Sequence, residues 1–300
     1  MSATTAIHDA DLTDQEIARL LNSVPRTRRS RGTAFLFSSA LAAVTAVTTA
    51  IAVFFPGVFR DTAMTAGNAR GTALVLLVIA LPALLAGMTL ARHRVLWGRV
   101  LWLGALAYIT YNAVFFAYAV HFNRLFLLNV AMLSLGVWSI VSLVREIQPL
   151  SFQARLAGRL PVGFIAGYLL ITTALFTLLW LKDILPAVIG GMAPVSLERS
   201  GIVTNDIEMT DLAFGFPLTA LAAVWLWQRR AWGYVLAGVF LVYGLLESIS
   251  VATDQFFGHL SDPQQPLSAI PIFIVLALIG LLPTALYLRG FRRSTQEEGV

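Results

Sequence analysis

The chain predicts an all-α polytopic membrane protein whose eight transmembrane helices form two parallel four-helix repeats. Three observations predict it. First, mean hydropathy is +0.77, with 58% hydrophobic and 12% charged residues, where soluble domains carry about 25% charged. Second, the apolar runs are continuous and each is near the ~20 residues needed to cross a bilayer. Every span must satisfy its own backbone hydrogen bonds, and continuous rather than alternating runs make those spans helices. Third, Leu77–Asn112 returns without a gap 135 positions later as Leu212–Glu247. Pro82 falls on Pro217, Arg94 on Arg229, Trp97 and Gly98 on Trp232 and Gly233, and Tyr108 on Tyr243. Each copy is an apolar run with a proline, a basic turn ending in Trp-Gly, and a second apolar run reaching a polar residue. That residue is Asn112 in one copy and Glu247 in the other.

Residues 1–32 are expected to be a cytoplasmic leader and not a signal peptide, because the start is acidic and the first apolar run is long. Thr13 to Glu16 reads as a capping box, and Ile17, Leu20, Leu21 and Val24 follow at helical spacing. A short amphipathic surface helix is predicted, followed by the arginine cluster Arg26 to Arg31. The first repeat covers 33–147, a cytoplasmic linker 148–160, the second repeat 161–290, and a cytoplasmic tail 291–300. The spans are placed at 33–55, 71–91, 97–120, 124–145, 161–181, 211–228, 232–254 and 269–289.

Arginines crowd alternate connections: Arg92, Arg94 and Arg99; Arg145, Arg155 and Arg159; Arg229 and Arg230; Arg289, Arg292 and Arg293. The opposite connections hold only Arg60, Arg70, Arg124, Lys182 and Arg199. Basic connections stay inside, so both termini are expected in the cytoplasm. Four spans per copy make the repeats parallel. The arginine and alanine bias points to a bacterial inner (plasma) membrane, with the lipid bilayer as first partner.

Within the spans, Ser39, Ala43, Ala46 and Ala50 form a seam of small residues, and Gly163 and Gly167 a GxxxG. Both are expected to pack inside the bundle, with a dimerisation face as the alternative. Pro82 and Pro217 are expected to kink their helices at matching places. The segment 184–195 is too apolar for a free loop, and either a re-entrant cap or packing over helix ends would explain it.

The third and fourth spans (LWLGALAYITYNAVFFAYAVHFNRLFLLNVAMLSLGVW) and the sixth and seventh resemble uncharacterised multi-spanning bacterial integral membrane proteins. The shared traits are a tyrosine- and asparagine-rich third helix, a phenylalanine-asparagine turn, Asp211 entering the sixth helix and the Arg-Arg-x-Trp-Gly-Tyr turn. The resemblance covers about half of the chain and implies an architecture with no assigned activity.

Glu247 is the most informative residue. It stands fifteen positions from Trp232, roughly 22 Å up the helix. A carboxyl at that depth normally faces a cavity or a partner. Asp254 lies two turns on along the same face, and Asn112 at matching depth in the other copy. Tyr108, Tyr243, Asp211 and His121 fall around them. The candidate binding set is therefore Glu247, Asn112, Tyr108, Tyr243, Asp254, Asp211 and His121. Burial disfavours the charged form, so Glu247 is expected to be neutral and to share hydrogen bonds with Tyr108, Tyr243 or Asn112.

Cysteine is absent, which excludes disulfides and thiol chemistry. No HExxH-like spacing or phosphate-binding glycine loop exists, so neither a metal nor any cofactor is expected and ATP hydrolysis is excluded. The arginines are explained by topology, so nucleic acid is not expected as a partner. Three classes remain open. A small transporter or binding protein would hold a small-molecule or cation ligand in an outward polar cavity around Glu247. An intramembrane enzyme would use Glu247 or Asp254 on a lipid-linked substrate. An accessory subunit, or an oligomer, would use the helices only to dock.

Overall fold

A computed structural model describes residues 31–297. The amphipathic helix expected at 17–24 and the arginines Arg26 to Arg29 lie outside the described residues. Ten helices follow in order: α1 Arg31–Phe54, α2 Ala63–Arg92, α3 Leu96–Tyr118, α4 Phe126–Glu146, α5 Pro149–Leu156, α6 Val162–Gly190, α7 Val195–Ser200, α8 Asp206–Trp227, α9 Ala231–Ser261 and α10 Ala269–Glu297. Among the described residues there is no strand, and eight helices (all but α5 and α7) are long and apolar enough to span a membrane.

The helix ends follow local chemistry. Thr62 caps α2 by accepting from the Thr65 amide at 3.3 Å, and Asn205 caps α8 through the Glu208 amide at 3.2 Å. Gly191, at φ 65°, closes α6 in the left-handed conformation. α2 starts well before the expected residue 71, because the Thr62 cap begins the helix in the polar connection.

α9 is the central helix and packs against α2, α3, α8, α10 and the short α5. α3, the most deeply buried span, lies between α2, α4 and α9. On one side α1 lies along α4 and α2, closing that bundle. On the other, α6 lies on α8 and barely meets α10, through a stacked Phe176–Phe273 pair at 5.8 Å.

The α2–α3 and α8–α9 connections show the same backbone at a spacing of 135. His93, Arg94, Val95 and Gly98 amides bond to Thr89, Ala91, Leu90 and Val95 carbonyls. Gln228, Arg229, Arg230 and Gly233 amides bond to Val224, Leu226, Trp225 and Arg230. Arg94 (φ 63°) and Arg229 (φ 55°) are the two non-glycine residues with left-handed backbone among those described. A side chain at Gly98 would meet Leu90 Cβ at 2.5 Å, and one at Gly233 would strike the Trp225–Leu226 backbone. Glycine after the turn tryptophan is therefore what lets each pair of helices close.

At the prolines the structure replaces a simple kink with a π-turn. Leu76–Ala80 and Asp211–Gly215 are π-helical, again 135 apart, and Pro82 and Pro217 are the second residues of the α-segments that resume. The Leu81 amide bonds to Leu76 and the Phe216 amide to Asp211, five residues back. Widening the ladder by one residue relieves the ring's clash with the carbonyl of the preceding turn.

Three packing expectations are corrected. Ser39 and Ala43 are exposed, and α1 buries the adjoining stripe of Ser38, Leu41, Ala42, Thr45 and Thr49 instead. Nothing lies within 4 Å of a side chain built at Gly163 or Gly167, so that GxxxG makes no close approach. The close approach is made by Gly67 and Gly71 of α2 against Gly258 and Asp254 of α9. The segment 184–195 is not a separate unit of its connection: α6 runs through Pro186 as one helix to Gly190, and α7 begins at Val195. The 148–160 connection contains α5, whose buried Phe152 meets Phe291 edge-on at 6.2 Å.

Candidate functional site

One face of α9 carries Tyr243, Glu247, Ser250 and Asp254. Spacings of four, three and four put them in a single line. Tyr108, Tyr111 and Asn112 of α3 face that line, again at helical spacing. α8 adds Asp211 from the first position of its π-turn, α6 adds Trp180, and α2 adds Thr72.

Asp211 is held by two donors. The Tyr111 hydroxyl donates to its Oδ1 at 3.0 Å and the Trp180 indole to its Oδ2 at 2.9 Å. Gly215, one turn on, leaves room for this: a Cβ there would sit 3.2 Å from Asp211 Oδ1. The Tyr111 ring meets the Tyr243 ring edge-on, with centroids 5.6 Å apart. These contacts tie α3, α6, α8 and α9 together around one buried carboxyl.

Glu247 lies between two other carboxyls. The groups acting on it are Asp211, Asp254 and Asn112, with no arginine or lysine among them. Its Oε2 is buried and has no hydrogen-bond partner. Asn112, buried, is anchored by its Nδ2 donating to the Tyr108 carbonyl at 3.0 Å. Tyr108 is fully buried on the face of α3 turned to this line. Glu247 Oε2 is thus left unpaired in the interior, where a missing bond costs about 1–3 kcal/mol.

Asp254 sits where α2 comes closest. Gly71 lies directly against the Asp254 backbone, which brings Thr72 to the carboxyl. Gln255 Nε2 donates to Asp254 Oδ1 at 3.2 Å, Gln265 Nε2 donates to Gln255 Oε1 at 2.7 Å, and the Gln265 carbonyl lies 2.7 Å from His259 Nδ1. Glu247, Tyr243 and Asp254 are half-buried as residues.

Six of the seven candidate residues are therefore brought together: Glu247, Asn112, Tyr108, Tyr243, Asp254 and Asp211. His121 is not. α3 ends at Tyr118, and His121 lies in the turn beyond, 52% exposed, with Nδ1 2.8 Å from Asp61 Oδ1. Trp180, Thr72, Gln255 and Gln265 were not singled out by sequence. Trp180 reads as an interfacial aromatic beside Lys182, and Gln265 as a loop residue; only the helix crossings bring them in.

A groove of about 560 Å³ lies on the opposite side of α9, against α10, lined by Leu245, Ile249, Phe256, Ile274 and Leu281 among others. A second, of about 390 Å³, lies at the end of α6 around Lys182, Asp183 and Met192. Neither is lined by Glu247. Among the described residues no group of three His, Cys, Asp or Glu is placed to hold a metal. Comparison with family models, with curated proteins and with solved structures finds no match.

Proposed function

We propose that the chain is a small proton-coupled transporter or binding protein of the bacterial inner membrane, with Glu247 as its proton or cation site. The observation that carries this is the Glu247 carboxyl itself. It lies inside a spanning helix, is flanked by Asp211 and Asp254, meets no basic side chain and leaves Oε2 unpaired. An ionised group so placed costs several kcal/mol, and such residues mark ion and substrate paths in membrane proteins. A proton or a small cation removes that cost, and its loss would change the balance among the three carboxyls.

The architecture proposed with it is two parallel four-helix repeats, both termini cytoplasmic, with the site where the two equivalent hairpins meet. The paired π-turns and paired Trp-Gly turns at a spacing of 135 support the repeat. The arginine-rich connections support the orientation. π-turns interrupt the regular ladder in α2 and α8 next to the site, which makes them the natural hinges for opening a cavity toward Glu247.

Purified protein in lipid nanodiscs tests this reading. Sodium, tetramethylammonium and a panel of protonated amines should be screened for a rise in Tm at pH 8, where a cation best replaces a proton. At least one should stabilise the wild type and leave Glu247→Gln unmoved, by the linkage of binding to folding. No stabilisation by any cation, together with no dependence of Tm on Glu247 between pH 5 and 8, would overturn it. The apolar faces left exposed on α6 (Ile171, Leu175, Leu178) and α10 (Ile274, Leu278, Leu282) favour a second reading, an accessory subunit. In that case Glu247→Gln would change nothing, and a membrane partner would co-purify.

A further inference from the structure

We propose that the C-terminal end of α9 holds a small monovalent cation, of the sodium class, between the side-chain oxygens of Gln265 and Asn68. The site lies roughly 16 Å further along α9 than Glu247 and does not depend on it. Three segments build it: α2 brings Asn68, the last turn of α9 brings Gly258, and the connection to α10 brings Gln265. A Cβ built on Gly258 would strike Asn68 Oδ1 and Gln265 Oε1 together, so both oxygens press on one glycine and lie side by side. Each is buried, and neither has a hydrogen-bond partner among the described residues. Gln265 is only 5% exposed, so bulk solvent does not satisfy its oxygen. Two carbonyl oxygens are both acceptors, and what joins them must be a donor or a cation.

The Gln265 oxygen is aimed there by a chain of amides. Gln255 Nε2 donates to Asp254 Oδ1 at 3.2 Å, and Gln265 Nε2 donates to Gln255 Oε1 at 2.7 Å. Turning the Gln265 amide round would set its oxygen against the Gln255 oxygen, so Oε1 faces Gly258. The amide dipoles run one way from the carboxyl and each polarises the next, which makes Gln265 Oε1 the negative end. The backbone is pinned as well. Asp262 to Gln265 form a β-turn with proline second: the Gln265 amide donates to the Asp262 carbonyl at 3.0 Å and the Gln264 amide to Asp262 Oδ1 at 3.0 Å. The Gln265 carbonyl lies 2.7 Å from His259 Nδ1.

This chemistry selects the ligand. Acceptors at the end of a helix whose last carbonyls carry its negative dipole attract a cation and repel an anion. Neither oxygen is charged, and the Asp254 carboxyl stands two amides away. A monovalent ion therefore suits the site better than calcium or magnesium, which take carboxylates directly. Size follows from the crossing of α2 and α9. A Cβ on Gly67 would lie 2.9 Å from Gly258 Cα, 2.6 Å from the Phe257 carbonyl oxygen and 2.7 Å from Ser261 Oγ. Helices in such contact cannot part to admit a large ion, which favours sodium over potassium. Ser261 and Gln264, just before Gln265, are exposed, so water completes the ion's shell.

The test is thermal unfolding of the full chain in lipid nanodiscs at pH 8, with sodium or potassium chloride exchanged for choline chloride at constant ionic strength. Sodium should raise the Tm of the wild type saturably, by linkage of binding to folding, and potassium should raise it less. Sodium should still raise the Tm of Glu247→Gln, which a cation that needs Glu247 would not do. Asn68→Leu and Gln265→Met keep the size of each side chain without its oxygen, and each should raise the half-saturating sodium at least tenfold. In choline, Asn68→Leu should melt no lower than the wild type, because it removes an unpaired acceptor. Asn68→Asp places a charge on the ion and should lower the half-saturating sodium at least tenfold, an effect that a merely structural asparagine would not give. A wild type that sodium does not stabilise overturns the site. So does an Asn68→Leu variant destabilised equally in choline and in sodium, the mark of an Asn68 amide bonded directly to Gln265. A sodium response lost in Glu247→Gln and kept in Asn68→Leu overturns this site and leaves the Glu247 reading standing.

Discussion

Substituting Gly71 by alanine should separate α2 from α9 and destabilise the protein, although the same change at Gly167 should not. A Cβ at Gly71 would lie 2.5 Å from Asp254 Cα, 2.9 Å from its nitrogen and 2.9 Å from the Thr253 carbonyl oxygen. All three are backbone atoms, so no rotamer change relieves the overlap. Ordinary carbon contacts are about 3.5–4.0 Å, which requires the helices to part by about 1 Å, and such a gap forfeits a quarter to a half of each dispersion contact. Overpacking of this kind costs about 1–3 kcal/mol, offset by up to about 1 kcal/mol from replacing glycine inside a helix. The net loss should be about 1–2 kcal/mol. Gly67, one turn away, meets the Phe257 carbonyl at 2.6 Å, so Gly67→Ala should behave alike and the double variant should be worse. At Gly167 nothing lies within 4 Å, and only the propensity gain remains. Unfolding in mixed detergent micelles, followed by loss of helical circular dichroism, measures the difference. Gly71→Ala as stable as wild type, or Gly167→Ala equally harmful, would refute the packing.

Around Asp211, Tyr111→Phe and Trp180→Phe should each cost about 1 kcal/mol of stability, and the double variant more than their sum, since it strips a buried carboxyl of both donors. His121→Ala should cost under about 1 kcal/mol, because the histidine is exposed and its backbone amide keeps its own 2.8 Å bond to Asp61. Asp61→Ala should cost more, as it removes both bonds. Single cysteines at Gly57 and Gln264 should react with an impermeant reagent from outside intact cells, and one at Ala157 should not; labelling at Ala157 would reverse the proposed orientation.

The spans were legible because hydropathy and charge act over twenty residues at a time, and every expected crossing has its helix. The site was half legible. Glu247 stands out as a lone acid in an apolar run, and its helical spacing to Tyr243 and Asp254 can be read off the chain. Asp211 could be placed only at a helix entrance, because the π-turn that aims it at Tyr111 and Trp180 has no signature beyond the nearby Pro217. Helix faces were the weakest reading. Gly163 and Gly167 form the same motif as Gly67 and Gly71, and nothing in either pair says which meets a neighbour. That is settled by the crossing of α2 over α9, a contact between residues nearly 190 positions apart. In α1 the small residues Ser39 and Ala43 look outward for the same reason: burial depends on where α4 and α2 lie. His121 illustrates the limit of depth reading, since a few residues past the end of α3 suffice to carry it to the surface and to Asp61.

The central claim is that Glu247 holds a proton inside the membrane-spanning core. Infrared difference spectra of wild type against Glu247→Gln, recorded in lipid nanodiscs from pH 5 to 9, test it most directly. The wild type should show the carbonyl stretch of a neutral carboxylic acid at pH 6 to 7, absent from the variant, with both proteins equally folded. A carboxylate band for Glu247 already complete at pH 6 would contradict the account.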